Sequence, residues 1–471
     1  MKMHDEIVGD RPAAPVVEAA TLRDRDDAQV LVVLDDDPTG TQSVADLPVL
    51  MGWAPEDFEW AFGTGAPAVY VMTNSRSLAP DDAARINREV AEGAFAAAAC
   101  TGRRVSFVSR SDSTLRGHFP LEPDVLNRCV EEHDGVACDA VVIVPAFPDA
   151  GRITVDSIHY AGSVRDGFTP VAETEFARDA TFGYRSSDLR QWVQEKTEGR
   201  FRADQVLALD LGTIRRGPDA VAAAMSEVEH ALPVVCDAVD ENDLRLLALG
   251  LQQVQRTGKR LLFRVGPPFV RAWIGQEPRA PLTTEAVRAL ARRSDTAVGG
   301  LVVVGSHVEL TTRQLDALRQ QQSFAEFEIN VQQVLGVGSE AHLAHLAGAV
   351  SDALARGDVV LRTTRTLTRG ADATESLDIA RKVSDAVVMV VSRVLAATPP
   401  RFVIAKGGIT SSDVASRGLG IRQAMVAGPM LPGIVSLWEP QDGPARAIPF
   451  VVFAGNVGDE QSLVEVVRTL A

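Results

Sequence analysis

The chain has 471 residues, 46% hydrophobic and 23% charged, the balance of an ordinary folded protein with length for two or three domains. Asp plus Glu number 63 against 47 Lys plus Arg, and the formal charge of −16 argues against nucleic acid or a membrane surface as partner. Four cysteines with no C-x-x-C pair provide neither a disulfide framework nor a zinc site, and they suit reduced thiols in a cytoplasm. Residues 1–27 read as a polar, poorly ordered arm without the apolar stretch of a secretory signal. No apolar run reaches the length of a membrane span.

Beyond the arm, short apolar runs alternate with longer amphipathic ones. Val30–Leu34, Ala68–Met72, Val105–Ser109 and Ala140–Val144 are β-branched and almost continuously apolar, as strands covered on both faces are. Helices are expected over Asp81–Ala99, which opens on acidic residues, and over Glu122–Glu132. The alternation pauses at Gly266-Pro267-Pro268 and Pro278–Pro281, and a short helix over Thr283–Arg293 follows. Strands are then expected at Leu301–Val304, Ala325–Ile329, Val359–Leu361, Phe402–Ala405, Ile434–Leu437 and Phe450–Phe453. Between them lie helical stretches at Thr311–Gln322, Glu340–Leu354 and Ser376–Leu395. The pattern predicts an α/β fold in two domains, 28–275 and 296–471, each a mainly parallel sheet flanked by helices.

In open parallel sheets, ligands bind beyond the carboxyl ends of the strands. After Val30–Leu34 comes Asp35-Asp36-Asp37-Pro38-Thr39-Gly40. Three successive carboxylates raise one another's pKa unless cations or hydrogen bonds compensate, so they suit a metal, a general base or sugar hydroxyls; the same residues also make a solvated turn. After Val105–Ser109 comes Arg110-Ser111-Asp112-Ser113-Thr114-Leu115-Arg116-Gly117. Its two arginines and three hydroxyls would suit a carboxylate and sugar hydroxyls, or an exposed loop with one ion pair. The Pro145–Arg152 loop is stiffened by two prolines and offers Arg152 as a third anion ligand.

The second half has three glycine-bearing turns: Gly305-Ser306, Lys406-Gly407-Gly408-Ile409-Thr410-Ser411 and Gly455-Asn456-Val457-Gly458. Turns of this kind, leading into helices, present backbone N–H groups to phosphates. Gly336-Val337-Gly338-Ser339-Glu340-Ala341 fits G-x-G-x-x-A with Asp358 further on, but Gly336 lies well past the Ala325–Ile329 strand. His342 and His345 lack an H-E-x-x-H context, and no P-loop, protein-kinase or nucleophile-elbow motif is present.

Taken in order, DDPTG (36–40), SDSTLRG (111–117), PAFPDAGR (145–152), GS (305–306), KGGITS (406–411) and GNVG (455–458) resemble the four-carbon acid sugar kinase family. The resemblance spans roughly residues 30–465, both domains. It departs where many members read D-D-x-T-G-A, where Arg110 stands for a lysine and where Ile409 stands for a glutamate.

The resemblance implies an ATP-dependent kinase of a threonate, erythronate or 3-oxo-tetronate type acid, with the acid in the first domain and ATP in the second. Asp36 or Asp37 would act as general base on the terminal hydroxyl. Arg116 and Arg152, with Arg110, would hold the carboxylate, and Asp112 and Ser113 fall in the same substrate motif. Ser306, Gly407, Gly408, Thr410, Ser411, Gly455 and Asn456 would cradle the nucleotide and Mg²⁺, and Lys406 would neutralise developing charge or form a structural salt bridge. Domain closure is expected to exclude water. The expected setting is cytoplasmic, with a homodimer as one assembly the reading allows. Two rivals are an NAD(P)-dependent sugar-acid dehydrogenase built on Gly336 and a non-catalytic sugar-acid or nucleotide sensor.

Overall fold

The computed structural model describes residues 1–23, 29–290, 298–366, 368 and 373–471. Residues 24–28, at the end of the arm, lie outside the described residues, as does the end of the predicted Thr283–Arg293 helix, whose described part is Thr284–Leu290. The chain divides into a first unit, Met1–Val44 with Trp53–Pro278, and a second, Ala45–Gly52 with Arg279–Ala471.

Seven strands form the first unit's main sheet, in the order Ala68–Met72, Gln29–Asp35, Arg104–Arg110, Leu261–Val265, Ala140–Val144, Leu232–Cys236, Leu207–Leu209. All six pairings are parallel. The central strands are buried on both faces, which explains their unbroken Val/Leu/Ile runs. Register aligns their carboxyl ends: Asp35 pairs with Met72 and Arg110, and Val265 with Arg110 and Val144. The loops that follow therefore emerge along one edge.

Flanking helices show ordinary stop and start chemistry. Pro80–Thr101 starts on Pro80 with Asp81 and Asp82 in its first turn and ends at Gly102, whose φ of +68° suits a residue without Cβ. Glu241–Arg256 is capped by Asp240, which accepts from the Asp243 N–H at 2.8 Å, and buries Leu244, Leu247 and Leu251.

A three-stranded antiparallel sheet, Arg152–Val155, Ile158–Ser163 and Gly167–Pro170, has no counterpart in the sequence reading. Its first turn carries two left-handed residues, Asp156 and Ser157, at φ +53° and +65°. The buried Asp237 carboxylate accepts from both their N–H groups, at 2.7 and 2.9 Å, and so holds a turn that lacks the usual glycine. The start of the chain is packed rather than loose. Lys2 exchanges two backbone bonds of 2.8 Å with Phe168, and Ile7, Val17 and Leu22 are buried.

The second unit's sheet runs Ala325–Ile329, Val359–Thr363, Leu301–Val304, Val403–Lys406, Phe450–Phe453, Ile434–Pro440, Gln423–Leu431, Leu47–Leu50. The first five strands are parallel and the last three join antiparallel. Ile434–Pro440 thus belongs to a hairpin with Gln423–Leu431, because Pro432-Gly433, with Gly433 at φ +66°, leaves no room for a crossover helix. Each unit is built mainly on parallel strands with flanking helices. Val302, Val304, Leu315, Ile404, Phe453 and Leu463 are part of the second unit's core. No helix among the described residues is long and apolar enough to cross a membrane.

Candidate functional site

The first unit gathers charge at the carboxyl ends of its strands. Asp35, Asp36 and Asp37 leave the first strand in three different settings. Asp35 has no exposed surface and pairs with Arg110, whose side chain is also buried. The Arg110 guanidinium further reaches the Asp37 carbonyl and lies 3.7 Å from Asp36. A methyl group at Gly40 would collide with both Asp35 and Arg110, so this glycine lets the loop close over the pair. Arg110, read from sequence as a third substrate ligand, is thus a buried support under the loop. Burial pushes its pKa down to about 9.

Asp36 is gripped by Arg76, Nη2 to Oδ1 at 2.6 Å and Nε to Oδ2 at 3.1 Å. Burial nonetheless raises its pKa to about 6, with Arg76 pulling the other way. Asp37 is the more accessible carboxylate, its side chain 26% exposed. Its Oδ1 accepts from the Thr39 N–H at 3.0 Å and hydroxyl at 2.6 Å, and its Oδ2 lies 3.5 Å from Arg76.

The Arg110–Gly117 loop completes the group. Asp112 accepts from Arg116 Nε at 2.7 Å and from the Thr114 hydroxyl. Burial works to raise the Asp112 pKa, but Arg76 and Arg116 hold it well below the usual carboxylate range. A methyl at Gly117 would lie 2.9 Å from both Asp36 Oδ2 and Arg264 Nη2, so this backbone crosses directly over Asp36. The loop is pinned from the antiparallel sheet and beyond. His159 Nε2 lies 2.7 Å from the Ser113 carbonyl, and the Tyr184 hydroxyl donates to the Thr114 carbonyl at 2.8 Å. Burial lowers the His159 pKa to about 4, so the ring is neutral and donates through Nε2.

Arg116 and Arg152 converge on one aromatic ring: their guanidinium carbons lie 5.3 and 5.8 Å from the centre of Phe176. Arg152, Thr169, Thr174, Phe176 and Arg178 line a cavity of about 490 Å³. Ser113 is half-buried on the same loop as Arg116.

Sequence reading missed Arg76, because Thr73-Asn74-Ser75-Arg76 looks like an ordinary polar turn. The only available signal was its place after the Ala68–Met72 strand. It also missed the buried pair Arg264–Glu122, 2.6 Å apart, with Ser75 and Ser109 hydroxyls donating to Glu122 at 2.5 and 3.0 Å.

In the second unit the three glycine turns come together around Ser306. A methyl at Gly455 would collide with Ser306 Oγ and one at Gly305 with Thr410 Oγ1; one at Gly407, φ +126°, would lie 3.3 Å from Ser306. The Gly305 and Ser306 N–H groups donate to the Lys406 carbonyl, each at 3.2 Å, and the Gly407 N–H to Phe453 at 2.8 Å. Thr311 donates to the Gly455 carbonyl at 2.9 Å and lies 3.1 Å from Ser306 Oγ. The result is a cradle of backbone in which a side chain at Gly305 or Gly455 would collide and one at Gly407 would be strained by its positive φ. Thr410 and Gly408 are half-buried beside it, and Asn456 is exposed.

Two expected phosphate ligands are turned to other uses. The Ser411 hydroxyl donates within its own turn, with the Ala405 and Gly407 carbonyls at 2.8 and 2.7 Å. Lys406 has no exposed surface; its ammonium donates to the Ala454 carbonyl at 2.7 Å and sits 3.6 Å from the centre of the Phe453 ring. Burial lowers its pKa to about 6. It ties two of the turns together and forms no salt bridge among the described residues. Gly336 to Gly338 join the helices Val331–Leu335 and Ser339–Leu354, so they do not make the strand-to-helix turn a dinucleotide site requires.

Residues 31–273 match the family model of a sugar-binding N-terminal domain, and residues 301–463 that of a nucleotide-binding C-terminal domain. No curated protein matches the chain. Among solved structures, one described as a putative tRNA synthase from Salmonella typhimurium is 20% identical, with a TM-score of 0.66 over 93% of this chain and 99% of that one. A Haemophilus influenzae protein of family DUF1537 is 17% identical, with a TM-score of 0.62 over 93% of this chain and 100% of that one. These likenesses concern the fold.

Proposed function

Because the chain belongs to the four-carbon acid sugar kinase family, we propose that it transfers the terminal phosphoryl group of ATP to the terminal hydroxyl of a sugar acid of threonate, erythronate or 3-oxo-tetronate type. The observation that carries the reading is the Asp36–Arg76–Asp37 group at the carboxyl ends of the sugar-binding unit's strands. An accessible carboxylate held in a fixed orientation beside one locked on arginine suits a general base for a substrate hydroxyl.

Asp37 takes the role of base. It is within reach of solvent, and Thr39 and Arg76 fix its orientation. Asp36 is doubly bonded to Arg76 and keeps that arginine in place. Arg116 and Arg152, spread over Phe176, face the substrate carboxylate, and the neutral His159 and Tyr184 hold the loop that carries Arg116. Asp112 and Ser113 meet the sugar hydroxyls.

Support for a nucleotide in the second unit is that Gly305, Gly407 and Gly455 bring three backbone turns together around Ser306, where a side chain at any of them would meet Ser306 or Thr410. Its backbone and Thr410 line the phosphate position, while Lys406 and Ser411 hold the turns in shape. Among the described residues no three His, Cys, Asp or Glu side chains gather to hold a metal. Mg²⁺ would come with the nucleotide, held on phosphate and water oxygens. When bound, the ion neutralises phosphate charge.

The test is a panel of four-carbon acids with ATP and Mg²⁺, read by ADP release and by ³¹P NMR of the product. Phosphorylation of at least one acid at its terminal oxygen is expected. ADP release unaffected by any acid would overturn the reading, and reduction of NAD(P) by the same acids would replace it with the dehydrogenase.

A further inference from the structure

Lys406 is buried, so the phosphate end of the cradle needs its positive charge from elsewhere. Arg365 lies two residues beyond the Val359–Thr363 strand, whose Arg362 pairs with Val304 of the neighbouring strand. It therefore emerges at the same edge as Gly305-Ser306. Its Nη1 donates to the Ser306 carbonyl and its Nη2 to the Thr312 hydroxyl at 2.8 Å. His307 Nδ1 lies 3.3 Å from the Arg365 carbonyl. The guanidinium thus bridges the Ser306 turn and the first turn of the Glu309–Gln321 helix.

What sets Arg365 apart is an uncompensated charge: burial and the nearby Arg362 and Arg319 work against it, and Asp316 offsets them only in part. Neighbouring Arg362 is matched by Glu326 and Glu328, and Arg319 by Asp316 and Glu326. Among the described residues no carboxylate reaches ion-pair distance of Arg365, and its Nε is buried with no hydrogen-bond partner. Arginine stays charged at any working pH. A half-buried guanidinium without a counter-ion is unfavourable, and an anion beside it would relieve that.

We propose that Arg365 is the phosphate-binding cation of the nucleotide site, anchored on Ser306 and Thr312 and facing the terminal phosphates. This rests on the reading above that the glycine cradle holds a nucleotide. It gives the site an arginine where the sequence suggested Lys406.

Isothermal titration calorimetry of the full chain with ADP and with adenosine tests it, using wild type, Arg365→Gln and Arg365→Lys. ADP affinity should fall roughly 10- to 100-fold in Arg365→Gln, the worth of a charge-assisted hydrogen bond. Adenosine affinity should not move. Arg365→Lys should recover part of the loss, and the ionic-strength dependence of ADP binding should be shallower in Arg365→Gln than in wild type. Unchanged ADP affinity in Arg365→Gln overturns the proposal. So does an equal loss of ADP and adenosine in both variants, because a residue that only supports the turn would affect them alike. Should Arg365→Gln not fold, Arg365→Lys decides: it must bind ADP more weakly than wild type with adenosine unchanged. Wild type binding neither compound would instead overturn the nucleotide reading itself.

Discussion

Lys406→Met probes the second unit's turns through pH. Lysine ordinarily titrates at 10.5, and burial lowers Lys406 to about 6. Between those values the folded chain binds fewer protons than the unfolded one, so this group makes stability rise with pH across that window. Each unit of pH is worth about 1.4 kcal/mol. Holding Lys406 neutral in the fold therefore costs roughly 5 kcal/mol at pH 6.5, 4 at pH 7.5 and 1–2 at pH 9.5, with no discount for screening because the residue has no exposed surface. Methionine fills a similar volume without that cost but leaves the Ala454 carbonyl without its donor, a loss of about 1–3 kcal/mol. The variant should be the more stable protein at pH 6.5, and level or less stable at pH 9.5. Thermal melts of both proteins at four pH values would show it, at roughly 2–4 °C per kcal/mol for a domain of this size. Taking the difference between them cancels every other titrating group. A difference that stays constant from pH 6.5 to 9.5 would refute the buried neutral lysine.

Three further outcomes follow from the geometry. Asp37→Asn should lower kcat roughly 100-fold or more with little change in melting temperature, measured in a coupled ADP assay. Arg116→Ala should raise the KM for the sugar acid about 10- to 100-fold and leave the KM for ATP alone, since it removes one of two arginines over Phe176. Gly455→Ala should do the reverse, raising the KM for ATP and leaving that for the sugar acid alone, because its methyl collides with Ser306 Oγ and must displace the turn.

The parallel strands were legible because burial on both faces leaves one signal, an unbroken β-branched run. Ala68–Met72, Ala140–Val144, Leu301–Val304 and Phe450–Phe453 match the expected bounds. Antiparallel pieces were not, because their information lies in turns. Asp156-Ser157 is held by the remote Asp237, and neither residue advertises a hairpin. Site residues were legible by type and place but not by direction. Asp36 and Asp37 follow one strand and Arg110 ends its neighbour, yet only the fold separates a buried support from an accessible carboxylate. Lys406 is the sharpest case, an ionisable residue beside a glycine turn whose stem and amine are both enclosed. Arg76 was invisible because its meaning comes from the strand that pairs beside it.

The strand Leu47–Leu50 has a consequence for how the protein is made. It belongs to the second unit, where it pairs antiparallel with Gln423–Val426. It is synthesised long before its partner strand. Until then this apolar segment, which carries Pro48, lacks its antiparallel partner. The second unit can finish its sheet only after Gln423–Val426 has been synthesised, and any fragment starting at Arg279 carries an open edge along Gln423–Val426. Late closure between such distant segments is slow and leaves apolar edges exposed to other chains. The two units are thus separate in ligand but not in biogenesis: the second depends on a segment synthesised within the first.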